Sequence, residues 1–190
     1  PKPWKVLEER LLHDGSPWLQ LKQQSIGLPN DRTVDRYYRV EMRDFALLYA
    51  TTEAGQVIVL RLYRHGPQRV GLALPGGLID DGEESLIAAQ RELLEETGYQ
   101  ARNWRSLGRY TMNSNYGCGC CNIYMASDAI RIAEPDSGDL EEAEIVLMTP
   151  EELLQALGRG EVSVIGHAAA IAMVMAAKHG YPVTVAKRSS

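Results

Sequence analysis

Three closely spaced glutamates are the residues of this chain best suited to carry out chemistry. Glu92, Glu95 and Glu96 lie three and four positions apart, a spacing that places side chains on one face of a helix. Like charges in this arrangement repel each other, so a stable helix that carries them needs a partner of opposite charge. Hard divalent cations such as Mg²⁺ prefer carboxylate oxygens. The spacing therefore predicts a cation site on this helix.

The helix that must position these carboxylates has recognisable ends. Ser85 is predicted as its N-cap, and Gly98 is placed to end it. At 100° per residue, four apolar side chains fall within an arc of about 120°, the width of a core-facing stripe. These four are Leu86, Ile87, Leu93 and Leu94. We therefore expect a helix that is buried on one face and acidic on the other, preceded by a strand over 70–74 and a Pro-Gly-Gly turn.

The rest of the chain carries mostly strand signals, with two helix signals near its end. Residues 1–43 mix short apolar runs with turn signals, which predicts a small β subdomain. Two strands joined by the turn at 53–55 follow, which is a hairpin signal. Thr149, with Pro150 and Glu152 behind it, has the pattern of a capping box at a helix start. Further strands are predicted over 104–112, 122–127 and 145–148, and helices over 150–157 and 163–178.

Composition limits the classes of function. The 190 residues are 45% hydrophobic and 24% charged, as in an ordinary globular protein of one domain or one domain with a small appendage. A net charge of -5 argues against a broad surface for nucleic acid or anionic membrane. No run of 18 apolar residues occurs, and the first residues lack the apolar core of a signal peptide. The sequence predicts a cytoplasmic protein.

The cysteines form a single cluster, Cys118, Cys120 and Cys121. An odd number of cysteines so close together does not suggest a disulfide framework. A structural zinc site uses four ligands, usually in separated pairs, and no second pair is present. Reduced thiols on or beside a strand are the favoured interpretation, and a zinc-binding module is the alternative.

The run GLIDDGEESLIAAQRELLEETGY, residues 77–99, resembles the Nudix box in every defining position. The resemblance implies a loop-helix-loop that binds a divalent metal and hydrolyses a nucleoside diphosphate linked to a further moiety. Glu92 and Glu96 are then the strongest candidates for metal ligands, with Glu95 beside them and the backbone carbonyl of Gly76 as a further ligand. Glu95 and Glu96 are the catalytic candidates within the box. Mg²⁺ is the implied cofactor, with Mn²⁺ as a substitute.

Other positions of the box are interpreted as structural. Arg91 is expected to hold Glu83 through a salt bridge, so that the loop presents its ligands. Gly77 and Gly98 are expected to supply backbone freedom at the two ends of the motif.

In such enzymes a general base often comes from an acidic loop after the later strands. Residues 136–144 occupy that place, and Glu141 and Glu142 are the leading pair, although a solvated charge run is the alternative.

The similarity extends beyond the box. The runs YYRVEMRDFALLY, VLRLYRHG and LALPGGLIDDGE resemble the ADP-ribose pyrophosphatase branch of the family. This implies a Nudix-type α/β/α sandwich around a mixed sheet over 44–182, preceded by an N-terminal β subdomain over 1–43 that serves a homodimer, with a tail at 183–190. Arg64 matches an arginine that approaches substrate phosphate or ribose in that branch.

The sequence leaves more than one class of substrate open. ADP-ribose or a nucleotide sugar is the first expectation, with a nucleoside monophosphate and a sugar phosphate as products. The segment 113–118 lacks the proline common in ADP-ribose pyrophosphatases, and Tyr116 falls where dinucleoside polyphosphate hydrolases tend to carry a tyrosine. Tyr116 is therefore a candidate for stacking on a base. A dinucleoside polyphosphate hydrolase and a non-catalytic nucleotide sensor remain as rival hypotheses.

Overall fold

The computed structural model describes residues 1–138 and 142–183. An all-β first part is followed by a helix, a run of further strands and two consecutive helices. In chain order the elements are β1 (Lys5–Gly15), β2 (Leu19–Gly27), β3 (Thr33–Met42), β4 (Phe45–Thr52), β5 (Val57–Arg64), β6 (Arg69–Ala73), α1 (Ser85–Thr97), β7 (Tyr99–Gln100), β8 (Asn103–Asn113), β9 (Gly117–Arg131), β10 (Ala143–Met148), α2 (Pro150–Gly158) and α3 (Ile165–Lys178).

The chain divides into two compact units. The first comprises Pro1–Asp44 together with Tyr110–Cys120, and the second comprises Phe45–Arg109 with Cys121–Ser190. The first unit therefore includes a distant segment that the predicted range 1–43 did not contain. The tip of the β8–β9 hairpin belongs to it because Val40 N donates to Tyr116 O at 2.9 Å and because Tyr37 Oη donates to Asn115 O at 3.0 Å.

Within the first unit, β1, β2 and β3 form an antiparallel meander, as the sequence predicts. The β1–β2 pairing runs from Lys5 opposite Gly27 to Gly15 opposite Leu19. The β2–β3 pairing continues from Leu19 opposite Met42 to Gly27 opposite Thr33. Strand β1 is exposed along almost its whole length, with β2 as its neighbour on one edge.

Within the second unit, a mixed sheet has the strand order β9-β4-β5-β10. Strand β4 runs parallel to β9, with Phe45 opposite Cys121, whereas β5 runs antiparallel to β10. Strand β6 pairs with β5, and β7 pairs with β9. The mixed sheet predicted for this part of the chain is confirmed.

Helices cover both faces of this sheet, because side chains of a strand alternate between its two faces. Ala46, Leu48 and Ala50 of β4 are buried in one cluster with Ala89 and Leu93 of α1. Tyr49 lies on the opposite face, where Nζ of Lys178, the last residue of α3, is 5.4 Å from its ring centroid. The second unit is thus an α/β/α sandwich, and the fold expectation is confirmed.

Two details of α1 differ from the sequence prediction. Glu84 occupies the N-cap position, and Ser85 is the first helical residue, whose hydroxyl is 2.7 Å from Tyr124 Oη. The side chain of Ile87 is 53% exposed, whereas Ala88 and Ala89 are buried. Small alanines let the helix lie close against the sheet, so the buried face includes them together with Leu93 and leaves Ile87 out. Gly98 ends the helix with a φ of 73°, as predicted.

Helix α2 begins as the sequence predicts. Thr149 accepts a hydrogen bond from the Glu152 backbone, and the Glu152 side chain reaches back to Thr149, which completes a capping box. Helix α3 begins two residues later than predicted and ends at Lys178. Among the residues that the structure describes, no helix combines the length and the apolar character needed to cross a membrane.

Candidate active site

The glycine-rich turn after β6 is held against β4. Leu48 N donates to Pro75 O at 3.0 Å, and Ala46 N donates to Gly77 O at 2.9 Å. Gly76 has a φ of 150°, and a Cβ at this position would lie 2.1 Å from Ala46 O. A side chain at position 76 would therefore collide with the backbone of β4, and only glycine fits.

Glu96 is directed at this turn. Its Oε2 accepts a hydrogen bond from Gly76 N at 2.7 Å, and the residue is only 9% exposed. The sequence placed Glu96 on the side of the helix opposite the core-facing stripe, but in the structure Glu96 is buried, as are Ala89 and Leu93 of the same helix. A buried carboxylate that accepts from a backbone amide is held in one orientation.

Glu92 is packed against the next residue of the same turn. A Cβ built on Gly77 would lie 2.5 Å from both carboxylate oxygens of Glu92. The absence of a side chain at Gly77 therefore makes room for this carboxylate. Glu92 and Glu96 thus present their carboxylates to two consecutive residues, Gly77 and Gly76, of one turn.

Arg91 connects the loop to the helix. Its Nε donates to Glu83 Oε1 at 3.0 Å, and its Nη2 donates to Glu83 Oε2 at 2.9 Å. Nη2 also donates to Leu78 O at 3.0 Å. The predicted Arg91–Glu83 salt bridge is therefore present, and its two-point geometry fixes the plane of the guanidinium.

The same arginine also binds two of the candidate metal ligands. Nη1 of Arg91 donates to Glu92 Oε1 at 2.7 Å and to Glu95 Oε2 at 3.0 Å. Sequence reasoning assigned Arg91 to Glu83 alone, although the i,i+4 spacing to Glu95 was a usable signal. The hydrogen bond to Glu83, followed by those to Glu92 and Glu95, raises the pKa of Arg91 further above its ordinary value. Arg91 thus offsets part of the repulsion among the glutamates.

The loop between the turn and the helix is closed by Glu83. Besides binding Arg91, its Oε2 accepts from Asp80 N at 2.9 Å. The backbone of Glu83 in turn donates to Asp80 O at 2.9 Å. Glu83 therefore stabilises the loop through Asp80 and links it to the helix through Arg91, in agreement with the structural role expected of Glu83.

The donor set suits a hard divalent cation. The carboxylates of Glu92, Glu95 and Glu96 and the carbonyl of Gly76 are all oxygen ligands of the kind that Mg²⁺ prefers. Within 1–138 and 142–183, no three His, Cys, Asp or Glu side chains are already arranged as a metal-binding group. Arg91 Nη1 engages Glu92 and Glu95 in this structure, so these carboxylates would turn from the guanidinium to share a cation.

The remaining candidates belong to other segments of the chain. Arg64 is half-buried at the end of β5, opposite Arg69 of β6. Tyr116 belongs to the first unit, where its side chain is 48% exposed in the turn between β8 and β9. Of the two general-base candidates, Glu142 is exposed just before β10, and Glu141 lies outside the described residues. Cys118, Cys120 and Cys121, all within the described residues, form no disulfide.

One histidine near the turn escaped sequence reasoning. His167 of α3 is 7% exposed, and its Nδ1 accepts a hydrogen bond from Leu74 N at 3.1 Å. Burial, and secondarily the charge of Arg64, lower the pKa of His167 to about 4. The available signal was a single histidine within the apolar helix Ile165–Lys178, where a polar side chain needs a partner.

The second unit thus combines an α/β/α sandwich with a glycine turn that packs against an acidic helix. Residues 41–165 match the NUDIX domain. This match covers well over half of the chain, which therefore belongs to the Nudix family and is classed with its hydrolases.

Two curated relatives illustrate the family membership. The chain is 32% identical over 132 residues to a CMP-5'-(N-acetyl-N-hydroxy-3-aminopropyl)phosphonate hydrolase of Streptomyces rubellomurinus, a match that covers 70% of this chain and 63% of that protein. It is 26% identical over 145 residues to an ADP-ribose pyrophosphatase of Bacillus subtilis, with 76% of this chain and 78% of the relative covered.

A solved structure confirms the fold over nearly the whole chain. The crystal structure of an ADP compounds hydrolase superposes with a TM-score of 0.81 and covers 95% of this chain and 98% of its own. The two sequences are 20% identical, so this similarity concerns the fold.

Proposed function

We propose that this protein is a Mg²⁺-dependent Nudix hydrolase that cleaves the pyrophosphate of a nucleoside diphosphate derivative. The observation that carries the proposal is the position of two carboxylates, Glu92 and Glu96, against the consecutive glycines of one turn. ADP-ribose or a nucleotide sugar is the first substrate to test, with a nucleoside monophosphate and a sugar phosphate as products. Mn²⁺ is the expected substitute metal.

Each residue of the candidate site is assigned a role from its contacts. A bound divalent cation supplies Lewis acidity, which offsets the negative charge that develops as the pyrophosphate bridge is cleaved. Glu92, Glu96, Glu95 and the carbonyl of Gly76 are the groups to hold it. Gly76 N keeps the Glu96 carboxylate in place, and Arg91 anchors the loop through Glu83. These contacts preorganise the ligands before substrate arrives.

Proton transfer and substrate binding are assigned to other residues. Glu142 and Glu141 remain the candidates for the base that deprotonates water, and Arg64 remains the candidate for contact with phosphate or ribose. A cytoplasmic location also stays a prediction.

Relatives support a nucleotide substrate, since two of them are named for the hydrolysis of a CMP-linked phosphonate and of ADP-ribose. Tyr116 supports the alternative of a dinucleoside polyphosphate, because its exposed ring is available for stacking. A panel of ADP-ribose, nucleotide sugars, CMP conjugates and diadenosine polyphosphates, assayed by phosphate release after phosphatase treatment, separates these hypotheses. Preference for a diadenosine polyphosphate would overturn the first choice.

The metal assignment is tested by Glu96→Gln. Glutamine keeps the size of the side chain but removes the charge, so we expect turnover to fall by at least about a hundredfold at saturating Mg²⁺ while the protein stays folded. Glu53→Gln, in the exposed β4–β5 turn, is the matched control. Wild-type rates in Glu96→Gln would contradict the metal assignment. Tight binding of ADP-ribose by the wild-type protein, without a Mg²⁺-dependent product, would favour a non-catalytic sensor.

A homodimer is part of the proposal. In the first unit, strand β1 exposes apolar side chains that a single copy leaves in water, such as Leu7 at 60% and Val6 at 57%. Burying such a strand edge and its apolar side chains against a second copy is favourable.

A further inference from the structure

The chain that leads into the glycine turn has its outer edge fixed at three successive points. Residues separated by two positions direct their N–H groups to the same edge of an extended chain. Leu72 N donates to Glu161 O at 2.9 Å. Leu74 N donates to His167 Nδ1 at 3.1 Å, and Gly76 N donates to Glu96 Oε2 at 2.7 Å.

The middle point is the only one of these three made by an uncharged side chain. The opposite edge of β6 is used by β5, with Leu60 opposite Ala73 and Leu62 opposite Gly71. Pro75, which follows Leu74, has no N–H to donate. Leu74 N is thus the last backbone donor before Gly76 N, and Leu74 itself is 1% exposed.

The hydrogen bond defines the state of the imidazole. Because Leu74 N donates, Nδ1 of His167 carries no proton, and the neutral ring has its proton on Nε2. Burial keeps the ring neutral, and the positive charge of Arg64 adds to this by opposing protonation, so the pKa of His167 is lowered to about 4. His167 is therefore an acceptor throughout the neutral range of pH.

We propose that His167 is a positioning residue for the glycine turn, which acts by accepting the Leu74 hydrogen bond and so keeps Gly76 N in place to hold Glu96. It touches neither substrate nor metal. Its effect on the backbone is independent of the proposed function, whereas its effect on metal binding depends on that function.

Three substitutions separate the acceptor from mere packing. In His167→Asn, the amide Oδ1 takes the place of Nδ1 and restores the acceptor. In His167→Gln, the amide is displaced by one methylene, and in His167→Leu the acceptor is absent. We expect amide hydrogen exchange at Leu74 and Gly76, followed by NMR without metal, to be about tenfold faster in the Leu and Gln variants and close to wild type in the Asn variant.

A second readout uses Mn²⁺ alone. We expect the Leu and Gln variants to bind Mn²⁺ about tenfold more weakly than the wild type and the Asn variant, as measured by electron paramagnetic resonance without substrate. His179→Leu and His179→Asn are controls, since His179 lies exposed at the end of the same helix, with its Nδ1 2.8 Å from Met175 O. Neither control should change exchange at Gly76.

The outcomes are distinguishable. If the folded His167→Asn and His167→Gln variants show the same exchange rates at Leu74 and Gly76, the positioning role is overturned, whatever the enzyme hydrolyses. If His167→Leu does not fold, the comparison of His167→Asn with His167→Gln still tests the positioning role. If exchange changes as expected but the wild-type protein binds no Mn²⁺, the positioning role stands and the proposed function fails.

Discussion

At the scale of residues, two adjacent glycines meet different constraints. A Cβ at Gly76 would strike the backbone of β4, whereas a Cβ at Gly77 would strike the movable carboxylate of Glu92. A backbone cannot withdraw without disturbing the sheet, but a side-chain end can rotate away. Substitution at Gly76 is therefore expected to harm the fold, and substitution at Gly77 to harm the site.

We predict that Gly77→Ala leaves the protein folded but displaces Glu92. Mn²⁺ binding, measured by electron paramagnetic resonance, should weaken about tenfold or more, since a displaced carboxylate is a lost ligand, while thermal unfolding changes little. Gly66→Ala is the control, because nothing lies within 4 Å of a Cβ at that position. Unchanged Mn²⁺ affinity in Gly77→Ala would remove Glu92 from the ligand set.

His167 also predicts a pH dependence of stability. Its pKa is about 4 in the folded protein, against an ordinary value of 6.5. As the pH falls from 6.5 toward 4, the unfolded chain binds a proton that the folded chain does not, so acidification favours unfolding. The loss amounts to about 3 kcal/mol in total and is complete below about pH 4.

Urea unfolding of wild type and His167→Asn at a series of pH values tests this dependence. Because asparagine does not titrate, the difference in unfolding free energy between the two proteins should shift by about 3 kcal/mol between pH 7 and pH 4. A constant difference across this range would show that His167 titrates normally in the folded state.

At the scale of elements, the start of a helix and the edge of a strand differ in how far along the chain their hydrogen-bond partners lie. The start of α2 is encoded locally, since Thr149 and Glu152 satisfy each other's backbone N–H groups. The edge of β6 and of the residue that follows it depends on partners far along the chain, because Glu161 O accepts from Leu72 N and His167 Nδ1 accepts from Leu74 N. Local pairs can be predicted from spacing, whereas distant pairs require the fold.

We predict that Thr149→Ala lowers the free energy of unfolding by about 1 kcal/mol, because the N–H of Glu152 loses its acceptor. Thr149→Ser keeps the hydroxyl and should stay close to wild type. Thermal unfolding of the three proteins, together with Mn²⁺ binding, checks this prediction. A loss of Mn²⁺ binding in Thr149→Ala without loss of stability would contradict a purely capping role.

At the scale of the whole molecule, the two units differ in how they bury apolar surface. The second unit encloses its core between helices on both faces of a sheet, with residues such as Leu48 and Leu93 fully buried. The first unit is a meander whose β1 strand is exposed along almost its whole length. Such a surface is better stabilised by a second copy than by water.

We predict that Leu7→Glu dissociates a homodimer, because a charge replaces an exposed apolar side chain near the start of β1. Ile165→Glu is the control, since Ile165 is 75% exposed in the second unit. Light scattering coupled to size exclusion should give the dimer mass for wild type and control and the monomer mass for Leu7→Glu. A monomeric wild-type protein would contradict the homodimer itself.

Sequence alone determined the family, the cation-binding candidates and most elements, because these depend on local spacing. Seven fixed positions of the box lie within 77–99, and the hairpin turn and the capping box are equally short-range signals. The Arg91–Glu83 pair belongs to the same class, since both residues lie within one motif.

Only the tertiary structure decided how the site is held. Angles along an isolated helix placed Glu96 opposite the core-facing stripe, but in the structure Glu96 is buried and accepts a hydrogen bond from Gly76 N of the turn after β6. That turn lies outside the helix, so helical spacing could not predict this contact. Burial of Ala88 and Ala89 rather than Ile87 follows from the close approach of α1 to the sheet. The bond between His167 and Leu74 joins residues 93 positions apart. Spacing in the sequence can identify the carboxylates of this protein, but packing between distant segments orients them.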